Sequence, residues 1–106
     1  MPEYIEGTHR LDKDGNPAGG QTLGLGVAIK WQDGPLGRGA QRKQPNGAFV
    51  EGVIEAAIDR LEFYQAGKFK CAQNAEALDY LRAALGVLHA RTDDREQRAV
   101  EGTHAL

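Results

Sequence analysis

Residues 50–98 read VEGVIEAAIDRLEFYQAGKFKCAQNAEALDYLRAALGVLHARTDDREQR and carry the clearest helical periodicity in the chain. Apolar residues recur at spacings of three and four on both sides of Gly67, which predicts two helices. Gly67 itself is typical of the position where a helix ends. The stripe of the first helix contains Val50, Val53, Ile54, Ala57, Leu61 and Tyr64. The second helix, from about Cys71 to about Arg98, presents Cys71, Ala75, Leu78, Leu81, Leu85 and Leu88. Two long helices with a short connection predict an antiparallel hairpin, with Cys71 in its core.

A further stripe on the second helix has no predicted partner. It contains Tyr80, Ala84, Val87 and Arg91. One hairpin and one small sheet cannot cover both faces of this helix, so we expect the chain to self-associate through its helices.

The sequence before the hairpin indicates a small sheet and a loop. Apolar residues alternate with small or polar ones from Leu23 to Trp31, which predicts one strand with a single apolar face. A short strand is expected at Tyr4-Ile5, a turn at Asp14-Gly15-Asn16-Pro17 and a loop over residues 32–47. Asn46 is the expected N-cap of the first helix.

Length and charge exclude several classes of protein. The chain has 106 residues, 14 of them Gly, and a formal net charge of −2. We expect a single domain over residues 1–106, with a sheet and loop region at 1–46, the helical hairpin at 47–98 and a C-terminal tail at 99–106. The charge argues against DNA binding. Neither a membrane-spanning segment, a signal peptide nor a disulfide is expected.

No catalytic arrangement emerges from the residues. His9, His89 and His104 lack the spacing of metal ligands. Gly24-Leu25-Gly26 lacks the third glycine of a dinucleotide site, and the loop that follows has no P-loop lysine. We therefore expect no enzyme activity, no metal and no cofactor.

Arginine residues are better candidates for a binding site. Arg91, Arg95 and Arg98 lie on one side of the predicted helix. A guanidinium group matches phosphate oxygens, but compensation of the helix dipole explains the same pattern equally well. Arg38 stands between two glycines, in a loop whose backbone N–H groups could also face an anion.

Aromatic residues gather near the predicted helix–helix turn. Phe63, Tyr64 and Phe69 pack in the core or offer a stacking platform for a base. Asn74 could read a purine edge, because an amide carries both a donor and an acceptor.

Several segments, taken in order, resemble the Thoeris anti-defence family of the first type and the helical hairpin that it shares with a phage anti-CBASS sponge. They are Gly34-Pro35-Leu36-Gly37-Arg38-Gly39, Pro45-Asn46-Gly47-Ala48-Phe49, residues 56–65, residues 91–96 and Val100-Glu101-Gly102-Thr103-His104. The resemblance implies an α+β fold with a small N-terminal antiparallel β-sheet and a long antiparallel two-helix hairpin. It also implies a homo-oligomer, either a dimer or a hexamer, with pockets at subunit boundaries.

This resemblance further implies a phage protein that sequesters an immune signal, without cleaving it, in the cytoplasm of the infected bacterial host. The signal is a small cyclic nucleotide of the glycosylated cyclic ADP-ribose type, and a second pocket takes CBASS cyclic oligonucleotides. By similarity, Arg91 and Arg95 contact phosphate, Asn74 contacts the signal, and either Tyr64 or Phe63 stacks on the base. Further residues carried over are Arg38, as another ligand arginine, and Gly102, Thr103 and His104, in the second pocket.

Two other interpretations stay open. One is a small enzyme that processes nucleotides, and the other is a helical-hairpin adaptor that binds a protein partner. Recovery of a hydrolysed nucleotide would indicate the enzyme, whereas a lack of nucleotide binding would favour the adaptor.

Overall fold

The computed structural model describes residues 5–99 and 101–105, in which three strands precede two helices. The elements are β1 (Ile5–Leu11), β2 (Pro17–Gly24), β3 (Val27–Lys30), α1 (Val50–Gln65) and α2 (Ala72–Gln97). They fall into two compact units. The hairpin unit is Val50–Arg98, and the sheet unit contains the described residues up to Phe49 and from Ala99 onward. The expected α+β fold, with its N-terminal antiparallel sheet, is confirmed.

The predicted turn between the first two strands is confirmed, and it is held by a carboxylate. The backbone N–H of Asp12 donates to the Asn16 carbonyl oxygen at 2.8 Å, and the Asp12 carboxylate accepts from the N–H groups of Asp14 and Asn16. The Asn16 N–H is the main reason that the pKa of Asp12 lies below its ordinary value. Tyr4, which was expected to begin the first strand, lies outside the described residues.

The prediction of one strand from Leu23 to Trp31 is wrong. A two-residue turn at Leu25–Gly26 separates β2 from β3, and Gly24 pairs with Val27. Gly26 has a φ of +73°, a value that glycine adopts without strain. The chain reverses at this turn, so Leu23 faces the opposite side of the sheet from Val27. The alternation of apolar and polar residues therefore continues through the turn, and so it gave no sign that the strand ends there.

Close backbone approach and one side-chain bond hold the sheet together. Gly20 has a φ of +123°, and a Cβ atom there would overlap the Thr8 carbonyl group on β1. On the same face as Gly20, the Trp31 indole N–H donates to the Thr22 hydroxyl oxygen at 2.8 Å. The His9 and Trp31 rings lie 6.5 Å apart.

Asn46 is not the N-cap of the first helix, which begins at Val50. Its side-chain oxygen accepts from the Asp33 N–H at 2.8 Å, and its side-chain nitrogen donates to the Asp33 carbonyl oxygen at 3.0 Å. Its own N–H donates to the Gln32 side chain at 2.9 Å. Asn46 therefore fastens the end of the loop to the segment after β3, a contact that helix-start rules do not anticipate.

The two helices of the hairpin unit contact each other and run antiparallel. Arg82 on α2 binds Glu62 on α1 at 2.9 Å, and the Cys71 N–H donates to the Gln65 side chain at 3.0 Å. These pairings progress in opposite directions along the two helices. Leu78 is 5% exposed and is the one buried residue of the described helices.

The expectation that Cys71 lies in the core is wrong. Cys71 is exposed and is the N-cap of α2, where its sulfur accepts from the Asn74 backbone N–H at 3.4 Å. Its apolar spacing matched the stripe, but the helix begins one residue later and turns the thiol toward the helix end.

The second stripe of α2 is exposed along its whole length. It consists of Tyr80, Ala84, Val87 and Arg91, of which Tyr80 is 67% and Val87 is 69% exposed. Apolar side chains on this face are available to a further packing partner. No helix among the described residues is both long and apolar enough to cross a membrane.

Candidate functional site

Arg91 and Arg95 lie one helical turn apart near the C-terminal end of α2. Dipole compensation would pair Arg91 with a neighbouring acid, but Asp94 is bound to Arg98 at 3.1 Å. The Arg91 side chain is exposed and has no hydrogen bond or ion pair with any residue that the structure describes. This guanidinium group is therefore available to an external anion.

Two aromatic rings near the end of α1 share one cation. The Arg60 guanidinium carbon lies 4.8 Å from the centre of the Phe63 ring and 5.0 Å from that of Tyr64. Arg60 Nε also donates to the Tyr64 hydroxyl oxygen at 3.3 Å. The rings are 5.8 Å apart and tilted by 59°. Phe63 is the more exposed ring and Tyr64 is half-buried.

Arg60 was not among the sequence-predicted site residues. Its spacing of three and four residues from Phe63 and Tyr64 is the signal that could have identified it, because side chains at these spacings meet on a helix.

Asn74, in the first turn of α2, has part of its amide engaged. Its side-chain nitrogen donates to the Phe69 carbonyl oxygen at 3.3 Å. Its side-chain oxygen has no partner among the described residues. Asn74 thus offers a ligand an acceptor more readily than a paired donor and acceptor.

The predicted residues of the hairpin form two groups at its opposite ends. We call Phe63, Tyr64 and Asn74 the hairpin tip, and Arg91 and Arg95 the arginine end. Asn74 and Arg91 are 17 residues apart on one helix. At 1.5 Å per residue the groups are separated by about 26 Å. One hairpin therefore does not bring its tip and its arginine end into a single site.

In the sheet unit, the structure brings Arg38 to the C-terminal tail. Arg38 Nη1 donates to the Glu101 carbonyl oxygen at 3.0 Å, and the Gly37 N–H donates to the Gly102 carbonyl oxygen at 2.7 Å. Gly102 has a φ of +78°, and a Cβ atom there would overlap the Gly37 carbonyl oxygen. Arg38 thus lies beside the segment that was predicted to line the second pocket.

The remaining second-pocket residues continue along the tail. The Thr103 hydroxyl oxygen accepts from the Ala105 N–H at 3.2 Å, and His104 is exposed. Among the residues that the structure describes, no group of three or more His, Cys, Asp or Glu side chains is arranged to hold a metal ion.

Comparisons with known proteins agree with this fold. The model of the Acb2/Tad1 hairpin domain matches residues 26–93, which contain β3 and nearly all of the hairpin. A curated relative, "Thoeris anti-defense 1" of Bacillus phage SBSphiJ7, is 48% identical over 78 residues, or 74% of this chain. The match spans about half of that relative, 52% of its length. A domain model that covers most of the chain and a relative of this identity confirm the resemblance seen in the sequence: the protein belongs to the Acb2/Tad1 hairpin-domain family.

Proposed function

We propose that this protein is a phage anti-defence sponge, which binds and sequesters a cyclic ADP-ribose isomer without cleaving it. Membership of the family and the name of the phage relative support an anti-defence role. The protein would act in the cytoplasm of the infected bacterial host, where bound signal cannot reach the immune effector. Inhibition then depends on affinity and on the number of binding sites.

The available guanidinium group of Arg91 carries the proposal of an anionic ligand. The distance between the hairpin tip and the arginine end decides how many chains its pocket needs. About 26 Å along α2 is too long for one small nucleotide to bridge. A second copy that packs antiparallel would bring its arginine end to the tip of the first, and the two-fold axis would repeat the pocket. The exposed stripe with Tyr80 and Val87 supplies apolar surface for such packing. We therefore propose a homo-oligomer, a dimer or a hexamer, whose pockets need two chains.

Each residue in this pocket has a distinct chemical task. Arg91 and Arg95 bind the diphosphate of the signal, and each charge-assisted hydrogen bond contributes about 1.5–3 kcal/mol. A ring of the tip, Tyr64 or Phe63, stacks on the adenine, which contributes about 1–3 kcal/mol. The side-chain oxygen of Asn74 accepts from the adenine amino group. None of these tasks requires a bond of the signal to break.

The sheet unit supports a second site, for CBASS cyclic oligonucleotides. The specific observation is the contact between the Arg38 loop and the tail at Glu101 and Gly102. A guanidinium group has five N–H donors, which allows one arginine to bind a backbone carbonyl and a phosphate together. The half-buried backbone beside Gly102 and the Thr103 hydroxyl would contact the remaining polar atoms of the ligand.

Calorimetry with a cyclic ADP-ribose isomer, followed by heat denaturation and chromatography of the supernatant, tests this function. We expect tight binding and recovery of the intact isomer. A hydrolysed product would establish the enzyme interpretation, and absence of both heat and thermal shift would favour the adaptor.

A matched pair of variants tests the position of the site. Arg91→Ala removes an unpaired arginine of α2, whereas Arg82→Ala removes an arginine of the same helix that is paired with Glu62. Arg91→Ala should weaken binding by about 10- to 150-fold, which corresponds to one lost charge-assisted hydrogen bond. Arg82→Ala should leave the affinity unchanged. Equal affinities of the two variants would exclude the arginine end from the site.

A further inference from the structure

The loop before the first helix and the C-terminal tail are joined by a set of contacts that we call the loop–tail clamp. It consists of Gly37, Arg38 and Arg42 in the loop and Glu101 and Gly102 in the tail. Two of its bonds use the backbone of the tail, from Arg38 to Glu101 and from Gly37 to Gly102. The third is an ion pair between Arg42 Nη1 and Glu101 Oε2. The clamp therefore joins segments that are about 60 residues apart in sequence.

The loop side of the clamp is itself a closed structure. The Lys43 N–H donates to the Leu36 carbonyl oxygen at 2.6 Å, and the Arg42 N–H donates to the Gly39 carbonyl oxygen at 3.1 Å. Leu36 is one of the few buried apolar side chains in the described residues. Arg42 also donates to the Gly37 carbonyl oxygen at 3.3 Å. The loop thus presents Arg42 to the tail from an ordered base.

The Arg42–Glu101 pair is the charged contact of the clamp. The Glu101 side chain is 19% exposed and the Arg42 side chain 42% exposed, so this ion pair is less solvated than an ordinary surface pair. It acts on the same residue whose carbonyl oxygen binds Arg38. Loss of the ion pair would remove the contact of the Glu101 side chain with Arg42 and loosen the register in which Gly102 meets Gly37.

We propose that Arg42 and Glu101 are positioning residues of the second ligand site. Their ion pair holds the tail against the loop, so that Arg38 and the backbone at Gly102 face one phosphate-containing ligand together. This inference rests on the proposed second site, and it adds the pair of residues that assembles it. The ligand class is a cyclic oligonucleotide, which carries more than one phosphate and so needs donors from both segments at fixed positions.

A charge exchange distinguishes positioning from simple electrostatic attraction. Arg42→Gln and Glu101→Gln each break the pair, whereas the double variant R42E/E101R restores it with reversed orientation. Lys43→Gln is the matched control, because Lys43 is the neighbouring exposed cation of the loop and has no ion pair among the described residues. The probe for the second site is 3′,3′,3′-cyclic tri-AMP, whose three phosphates and larger ring distinguish it from the diphosphate signal. The probe for the hairpin is a cyclic ADP-ribose isomer.

We expect each single variant to lower the affinity for the cyclic trinucleotide about tenfold and the double variant to recover most of it. Affinity for the cyclic ADP-ribose isomer should stay within about twofold of wild type, a result that general unfolding would not give. Hydrogen exchange of the Gly37 amide should accelerate in Glu101→Gln and slow again in the double variant, with or without ligand.

Two results would overturn the inference, and they are distinguishable from each other. If the wild-type protein does not bind the cyclic trinucleotide, the second site itself is wrong, and the inference falls with it. If the wild type binds but Glu101→Gln binds equally well, or Lys43→Gln loses as much affinity as Arg42→Gln, the site stands and the positioning role of the pair does not.

Discussion

Mixing two defective variants tests whether each pocket needs two chains. One variant, F63A/Y64A/N74A, removes both rings and the amide of the hairpin tip. The other, R91A/R95A, removes the arginine end. Because Asn74 and Arg91 are 17 residues apart on one helix, about 26 Å, a pocket that contains both groups must draw them from different chains. Neither variant should bind the cyclic ADP-ribose isomer alone, but a mixed oligomer should contain an intact pocket.

The size of the recovery follows from symmetry. When the variants are refolded together at equal amounts and pair at random, about half of the dimers contain one chain of each kind. Such a dimer has one pocket with an intact tip and intact arginines and one pocket that lacks both. The mixture should therefore regain about one quarter of the wild-type sites, with wild-type affinity in each.

Equilibrium dialysis with the cyclic ADP-ribose isomer measures both the number of sites and their affinity. Each variant refolded alone gives the baseline, and wild type refolded with R91A/R95A shows that refolding leaves the protein active. Recovery of no sites from the mixture would show that one chain completes the pocket. Recovery of sites with much weaker affinity would show that the tip and the arginine end contribute to different pockets.

Three further predictions concern single side chains. Arg60→Ala removes the cation that lies against the rings of α1. Because an exposed cation–π contact contributes about 0.5–1 kcal/mol, calorimetry should show adenine-nucleotide binding weakened about two- to fivefold. Unchanged affinity would leave Arg60 without a role. Gly20→Ala places a Cβ atom against Thr8 at positive φ and should destabilise the sheet unit by at least about 2 kcal/mol, so a normal thermal melt would contradict the described pairing of β1 with β2. Folding lowers the pKa of the Asp12 carboxyl group below its value in the unfolded chain, which is about 3.9. The Asp12 carboxylate therefore stabilises the folded protein above that unfolded-state pKa, and this stabilisation is lost as pH falls through the folded-state pKa. The melting-temperature advantage of wild type over Asp12→Ala should therefore shrink from about pH 6 to about pH 3, and a constant advantage would refute this reasoning.

Binding and assembly would be linked in a protein of this design. The exposed face of α2 carries Tyr80 and Val87 together with Arg91, so the exposed apolar side chains and the proposed ligand arginine share one surface. Under the proposed arrangement, packing of a second copy would also desolvate the phosphate site and strengthen its hydrogen bonds. Ligand that binds the oligomer alone would in turn stabilise it.

The sequence predicted the helices well because their signals are local. Apolar spacing of three and four located α1 and α2, and Gly67 lies in the connection between them. The prediction from sequence was wrong at Leu25, because a two-residue turn there preserves the alternation of apolar and polar residues. It was also wrong at Cys71, whose spacing matched the apolar stripe of α2 although Cys71 is the N-cap of that helix. In both cases the spacing of apolar residues continued past the point where the strand or helix has its boundary. The prediction that Asn46 caps the first helix was wrong for another reason, because its hydrogen-bond partner Asp33 lies 13 residues away in sequence.

Candidate site residues show the same division. Residue type and spacing singled out Arg91, Arg95 and the aromatic residues as candidates, because phosphate and base recognition use few kinds of side chain. Arg60 was within reach of the same rules. The Arg42–Glu101 pair was not, because 59 residues separate the partners and no local pattern links them.

The sequence by itself determined an α+β chain with a long helical hairpin, because helical spacing and turn residues act over a few neighbouring residues. Several short segments in order also identified the family, and residue type indicated arginines, rings and an amide as candidate ligand groups. Only the tertiary structure decided that Asn46 binds Asp33 and that the tail returns to the Arg38 loop. Contacts of this kind depend on loop closure and on competition among many possible partners, which short-range patterns do not record.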